Sequence, residues 1–192
     1  MDTRVAESAE QSVLAKVLVR AFEEDPVLRW ILPSPVEYQR VSQTYFELVL
    51  KQSLSSKRCY TTDEQSGVSL WEEPDHLPSA GSQLLHFLRL SWLLRGDISR
   101  VLDLQSLMSS YRPPKPFWHL TYIATDPARQ GKGIGASLMK PVTKIAREQN
   151  IPIYLECSNR ANLSFYRAHG FRLVDEVSYP GGPTIWPMLL DR

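Results

Sequence analysis

Cysteine is scarce in this chain. Two residues, Cys59 and Cys157, cannot build a disulfide framework or a four-cysteine zinc site. An excess of one charge is missing too: 22 Lys and Arg face 21 Asp and Glu, a formal net charge of +1. That balance excludes a strongly basic body made for nucleic acid and an acidic tail, and no basic stripe stands out. No apolar run approaches the ~18–20 residues needed to cross a bilayer. The stretch from Met1 to Gln11 is polar, carries Asp2, Glu7 and Glu10, and does not read as a signal peptide. His76 and His86 lack metal-ligand spacing, so no metal site is expected. What remains is ordinary: 192 residues, 43% hydrophobic and 22% charged, which suits one globular domain spanning 1–192. The expectation is a cytoplasmic protein with reduced thiols that engages neither nucleic acid nor membrane. A homodimer stays open.

The N-terminal half, 1–116, reads as mostly helical. Val13, Leu14, Val17, Leu18 and Ala21 fall at helical spacing, and Glu24-Asp25-Pro26 is expected to close that helix. Tyr38, Val41, Tyr45, Leu48 and Val49 form a second stripe. Arg58–Thr62 and Val68–Trp71, joined by a polar turn, predict a hairpin. Leu84, Leu85, Leu88, Trp92 and Leu93 predict a third helix, and a fourth follows from Ile98 to Met108. The second half, 117–192, changes character. Phe117–Thr125 and Ile151–Cys157 read as strands rich in aromatic and β-branched residues. Between them Gly131–Glu148 opens with glycines and continues as a helix, where Pro141 predicts a kink. Asn162–His169 is a short helix closed by Gly170. Phe171–Ser178 and Thr184–Leu190 are two further strands. Strand, crossover helix and strand in this order imply a parallel pair within a mixed sheet.

The most informative stretch is Gln130-Gly131-Lys132-Gly133-Ile134-Gly135. Glycine permits positive φ and close approach of backbone to a ligand. A helix N-terminus offers unpaired N–H groups and a positive dipole end to an anion. Arg129 and Lys132 add full charge, so the physical expectation is a pyrophosphate site. The nucleotide triphosphate loop fails, because Lys132 is followed by Gly133 rather than Ser or Thr. A dinucleotide fold competes, since Glu156 lies 21 residues past Gly135. Its glycine spacing is wrong, however, and only 57 residues remain for the rest of such a sheet. The third reading is a coenzyme A site, where backbone amides grip the pyrophosphate and a strand holds the pantetheine arm.

Downstream stand Leu155-Glu156-Cys157-Ser158, Arg160-Ala161-Asn162-Leu163-Ser164-Phe165-Tyr166 and His169-Gly170-Phe171. Together with Gln130–Gly135 they resemble the GNAT superfamily of acetyl-CoA-dependent N-acetyltransferases. The resemblance is firm from Phe117 onward. Within the superfamily, Arg112–Trp118, Leu155-Glu156, Asn162–Tyr166 and Gly182–Trp186 are most similar to the puromycin N-acetyltransferase group. The resemblance implies an α/β fold: a six- or seven-stranded, mostly antiparallel sheet with helices on both faces and a splayed parallel pair holding acetyl-CoA. It implies that Ile123, Ala124 and Thr125 bind the pantetheine arm through their backbone. Arg129, Gln130, Gly131, Lys132, Gly133, Ile134, Gly135 and Ala136 would hold the pyrophosphate, and Asn159 and Asn162 would hydrogen-bond the cofactor. Residues 1–116 would then form the acceptor side and 117–192 the acetyl-CoA side.

Acetyl transfer needs a neutral amine, a stabilised oxyanion and a protonated leaving thiolate. An alkylammonium with a pKa of about 10.4 is seldom neutral at pH 7, so a base helps, directly or through water. Glu156 is the candidate base, on the strand face shared with Tyr154; a salt bridge, to Arg160 or to a substrate ammonium, is its plain alternative. Tyr166 is the candidate acid, with packing beside Phe165 as its alternative. A backbone N–H within Ile123–Thr125 would serve the oxyanion. Cys157, alternating away from Glu156, reads as a structural thiol. His119 either lines the acceptor pocket or is a satisfied core histidine. A small-molecule primary amine is the expected acceptor. A non-catalytic acetyl-CoA-binding module and a protein or peptide N-acetyltransferase are the alternatives.

Overall fold

In the computed structural model, which describes residues 2–74, 93, 99–114 and 116–191, eight strands form one sheet. The elements are β1 (Thr3–Val5), α1 (Gln11–Ala21), α2 (Pro26–Ile31), α3 (Pro35–Ser55), β2 (Cys59–Thr62), β3 (Gly67–Glu72), α4 (Ser99–Ser109), β4 (Trp118–Thr125), α5 (Ile134–Gln149), β5 (Ile153–Cys157), α6 (Leu163–Ala168), β6 (Arg172–Leu173), β7 (Val177–Ser178) and β8 (Thr184–Leu190). Strand order is β1-β2-β3-β4-β5-β8-β6, with β7 paired to β8 off that path. Every pairing is antiparallel except β4–β5. A sheet with one parallel contact has no room for a doubly wound dinucleotide fold.

Helices α1 and α3 pack on one face around Leu14, Val17, Leu18, Val41, Phe46 and Leu50. Helix α5 covers the other with Ile134, Leu138, Met139, Val142 and Ala146. Full burial of a leucine or valine of this kind contributes ~1.5–3 kcal/mol. Several expectations needed correction. Asp25-Pro26 opens a helix rather than closing one: the Asp25 carboxylate accepts from the N–H groups of Val27 and Leu28, and Pro26 takes the first helical position. The buried stripe of α3 runs through Phe46, Leu50 and Leu54 instead of Leu48. Val13 faces outward at 44% exposure, and Ala15 is buried in its place. The expected hairpin is present as β2 and β3, and β1 is one strand more than the sequence announced. The expected strand Phe171–Ser178 is divided into β6 and β7. Helix α5 runs on through Pro141 for 16 residues. The expected third helix, including Leu84, Leu85, Leu88 and Trp92, falls outside the described residues apart from Leu93.

Two departures from regular pairing shape the site. First, β4 and β5 share only two register pairs, Trp118 with Ile153 and His119 with Tyr154. Beyond His119 the strands part, while β4 stays paired to β3 as far as Thr125. Second, the β3–β4 register shifts between Leu70 and Trp71, leaving Thr121 as the extra residue of a bulge. The bulge resets the alternation of β4. Leu120 and Ile123, three residues apart, both face the α5 side, and Tyr122 and Ala124 both face α1 and α3.

Candidate active site

The glycine loop lies at one end of this divergence. A short 3-10 turn, Pro127–Arg129, is capped by the Asp126 side chain accepting from Ala128 N–H. Gly131 and Gly133 follow at φ +76° and +77°, with nothing within 4 Å of where a Cβ would stand. The backbone angle, not crowding, therefore calls for glycine at these two positions. Gly133 is the N-cap of α5, and the first rung of the helix is Ser137 N–H to the Gly133 carbonyl, 3.0 Å. The N–H groups of Ile134, Gly135 and Ala136 precede it and have no place in the helix ladder. Gly135 meets a different demand, since a Cβ there would stand 3.2 Å from Phe165 Cζ of α6. Gln130 and Lys132 are exposed. Arg129 is paired with Glu64, and Arg20 holds Asp126 at 2.5 Å.

Ile123, Ala124 and Thr125 are paired on their β3 side with Ser69, Val68 and Gly67. They share no pair with β5, so the edge facing the divergence remains available to an extended ligand arm. The donor set therefore fits a pyrophosphate joined to a hydrogen-bonding arm: an amide cluster at a helix N-terminus, continuing into an unladdered strand edge. Asn159 lies just past β5, where its Oδ1 accepts from Ala161 N–H at 3.0 Å and caps the turn before α6. Asn162 is exposed.

Glu156 sits on β5 with Tyr154, on the face opposite Ile153, Leu155 and Cys157. Its Oε2 is 2.7 Å from His119 Nε2. The other ring nitrogen, Nδ1, is 3.1 Å from Glu72 Oε2. Three adjacent strands thus contribute a carboxylate, an imidazole and a carboxylate in line across one face. Burial disfavours the charge on Glu156, but the His119 charge and hydrogen bond, with Arg112 nearby, hold its carboxyl below the ordinary range. Burial likewise opposes the His119 cation, yet Glu156 and Glu72 outweigh it and push the ring up to about 9. The pair is ionised at neutral pH. Glu156 Oε1 and the Tyr154 hydroxyl are both buried and meet no described partner at full hydrogen-bond geometry; the hydroxyl nonetheless lies near enough to help lower the Glu156 carboxyl, and Arg112 Nε stands 3.8 Å from Oε1. The partner of Glu156 is therefore His119, not Arg160.

Tyr166 projects from α6 into the α5-side cluster, ring to ring with Phe165 at 5.2 Å and Phe171 at 5.9 Å. Burial raises its phenol, with the Cys157 thiol and Asp25 adding to the shift. The hydroxyl consequently stays protonated, as a donor must. Cys157 donates to the Asn159 carbonyl at 3.1 Å, and burial pushes its thiol up to about 11, which suits a structural role. Asp25 is buried and accepts a hydrogen bond from the Ser158 hydroxyl, tying α2 to the end of β5. Burial raises its carboxyl. Tyr45 and Tyr122 join hydroxyl to hydroxyl at 2.6 Å. Residue patterns alone had missed the Glu72–His119 bond, the Arg112 approach and the Asp25–Ser158 tie. The signal available for the first was that His119 and Glu72 each occupy a strand; only the β3–β4 register makes them neighbours.

Residues 81–171 match the acetyltransferase (GNAT) family model. A Corynebacterium glutamicum protein, described as histone acetyltransferase HPA2 and related acetyltransferase, has a similar structure at TM-score 0.72, with 25% identity over 98% of this chain and 94% of that one. A polyamine N-acetyltransferase of Drosophila melanogaster, which forms N-acetylagmatine, aligns at TM-score 0.65 with 14% identity over 100% and 99%. The PaiA N-acetyltransferase of Thermoplasma acidophilum, solved with coenzyme A, aligns at 0.63 with 12% identity over 100% and 98%. The chain has the GNAT acetyltransferase fold and is an acyltransferase of that fold. Among the described residues no helix is long and apolar enough to cross a membrane.

Proposed function

We propose that the chain is an acetyl-CoA-dependent N-acetyltransferase acting on a primary amine of a small molecule by direct attack in a ternary complex. The observation that carries this reading is the divergence of β4 from β5 beyond His119, with the Glu156 carboxyl, bonded to His119, at its apex. Residues 117–192 would bind acetyl-CoA and residues 1–116 would shape the acceptor side. The backbone of Ile123, Ala124 and Thr125 would hold the pantetheine arm. The loop from Arg129 through Ala136 would hold the pyrophosphate, with Asn159 and Asn162 as further polar contacts. Acetyl-CoA supplies the activated thioester. Glu156 accepts the amine proton at Oε1, directly or through water. The Tyr166 hydroxyl donates to the departing sulfur.

The small-amine acceptor class is supported by the polyamine acetyltransferase among the similar structures, and the co-substrate by the coenzyme A complex. Thiol release from acetyl-CoA should be measured against a panel of amines that includes agmatine, arylalkylamines and puromycin, the last for its sequence resemblance. Saturable, amine-dependent release is expected. Acetyl-CoA binding with no amine turned over would instead make the chain a binding module. Turnover confined to peptides would make it a protein N-acetyltransferase.

A further inference from the structure

We propose that His119 is a positioning residue that acts through Glu156, holding that carboxylate ionised and turning its Oε1 into the opening between β4 and β5, with Glu72 anchoring the far side of the ring. The inference deepens the acetyltransferase reading and rests on it for its catalytic part.

The geometry is specific. His119 is the last residue of β4 paired with β5, and its side chain is only 8% exposed. Both ring nitrogens have acidic partners, Glu72 from β3 at 3.1 Å and Glu156 from β5 at 2.7 Å. An imidazolium donates from both nitrogens, whereas a neutral ring can donate from only one. Two carboxylates therefore select the charged form. The ring is further fixed by Tyr154 at 5.7 Å and Phe117 at 6.3 Å between centroids. Among the described residues Arg112, from the segment after α4, also approaches the pair, 3.8 Å from Glu156 Oε1.

One oxygen of Glu156 is thereby committed, and Oε1 is left with no hydrogen bond of full geometry, the Tyr154 hydroxyl standing close by. A buried carboxylate oxygen with most of its accepting capacity unused is a donor-seeking site. A primary ammonium has three N–H donors. It can donate to Oε1 and to the Tyr154 oxygen together; once Oε1 has taken one proton, rotation about the C–N bond turns the freed lone pair of the neutral amine toward the thioester. The acceptor class that fits is a cationic alkylamine rather than a neutral aromatic amine, and it would displace Arg112 from Oε1.

The test has two arms. In the first, the His119 ring is titrated by imidazole NMR in the protein without ligands. It should titrate well above the ordinary value of about 6.5, and Glu156→Gln should bring it down. Titration at the ordinary value in the wild type overturns the inference, whatever the enzyme assay gives. In the second, His119→Gln keeps a donor to Glu156 and removes the charge. The acidic limb of kcat/KM should move up by about one pH unit, while acetyl-CoA affinity is retained. A fall in kcat with an unmoved limb would make His119 merely structural and overturn the proposal. Wild-type protein that binds acetyl-CoA but turns over no amine would overturn the functional reading itself, and the positioning role would fall with it.

Discussion

His119 and Glu156 meet at 2.7 Å across the point where the two parallel strands separate. Each comes from a different strand, and no other described ion pair bridges the same opening. The bond fixes the distance between β4 and β5 at the end from which the opening widens.

That pair should be visible as pH-dependent stability. His119 is raised when folded, so its contribution is full below the unfolded pKa of about 6.5 and is lost as pH rises toward the folded value of about 9. Glu156 is lowered, so its contribution is present at neutral pH and lost as pH falls below the ordinary carboxylate range. Denaturant titrations should show a loss on the order of 2 kcal/mol between pH 6.5 and 8.5. The upper limit avoids Cys59 and Cys157, whose raised thiols add a loss of the same sign at higher pH. His119→Gln should flatten this slope, and an unchanged slope in that variant would assign it elsewhere.

Tyr166→Phe keeps the ring contacts with Phe165 and Phe171 and removes only the hydroxyl. Acetyl transfer should fall about 10²-fold, the low end of a general acid's contribution. Calorimetry should give an unchanged acetyl-CoA affinity. Undiminished turnover would remove Tyr166 from the mechanism.

Gly133→Val places a β-branched residue at φ +77°, which costs ~1–2 kcal/mol in the left-handed region. No atom lies within 4 Å of the new Cβ, so the fold should survive. The amides of the α5 N-terminus should shift, weakening acetyl-CoA binding at least about tenfold, while Tm falls by only a few degrees. Full affinity in this variant would mean that the pyrophosphate lies elsewhere.

Gly67→Ala should act first on stability. Its Cβ would stand 2.7 Å from Ile134 Cγ2, 2.9 Å from the Ala124 carbonyl oxygen and 2.9 Å from Leu138 Cδ1. Overpacking of this kind costs ~1–3 kcal/mol. Thermal unfolding should therefore show a clear drop in Tm, and because Ala124 and Ile134 are themselves placed at the cofactor, acetyl-CoA affinity should fall with it.

Much of the second half could be read before any coordinates. Gly131 and Gly133 announced a turn needing positive φ, and the stripe Ile134, Leu138, Val142 announced α5; both are local signals. The reading weakened where tertiary context decides. β1 has three residues and no alternation to detect. Thr121 gives no sign of being a bulge, yet it determines which way Tyr122 points. Glu156 was assigned a neighbour in sequence, Arg160, because a residue pattern cannot reveal that β4 carries His119 to it from 37 positions away. Asp25 read as part of a helix close, and its burial follows from the chain folding back to Ser158.

The separation of β4 from β5 has a mechanical consequence. On the α5 side, one apolar cluster crosses it, from Trp71, Trp118 and Leu120 to Ile153, Leu155 and Met188. On the α1–α3 side, the cluster ends with β4 at Ala124 and Tyr122. Opposite that cluster, the two parts of the sheet are joined by separate ties: the His119–Glu156 bond, the Asp25–Ser158 bond, and a small cluster that sets Val27 and Trp30 of α2 against Val177 and Ile185. These ties brace the gap like struts, so its width is set before a ligand arrives.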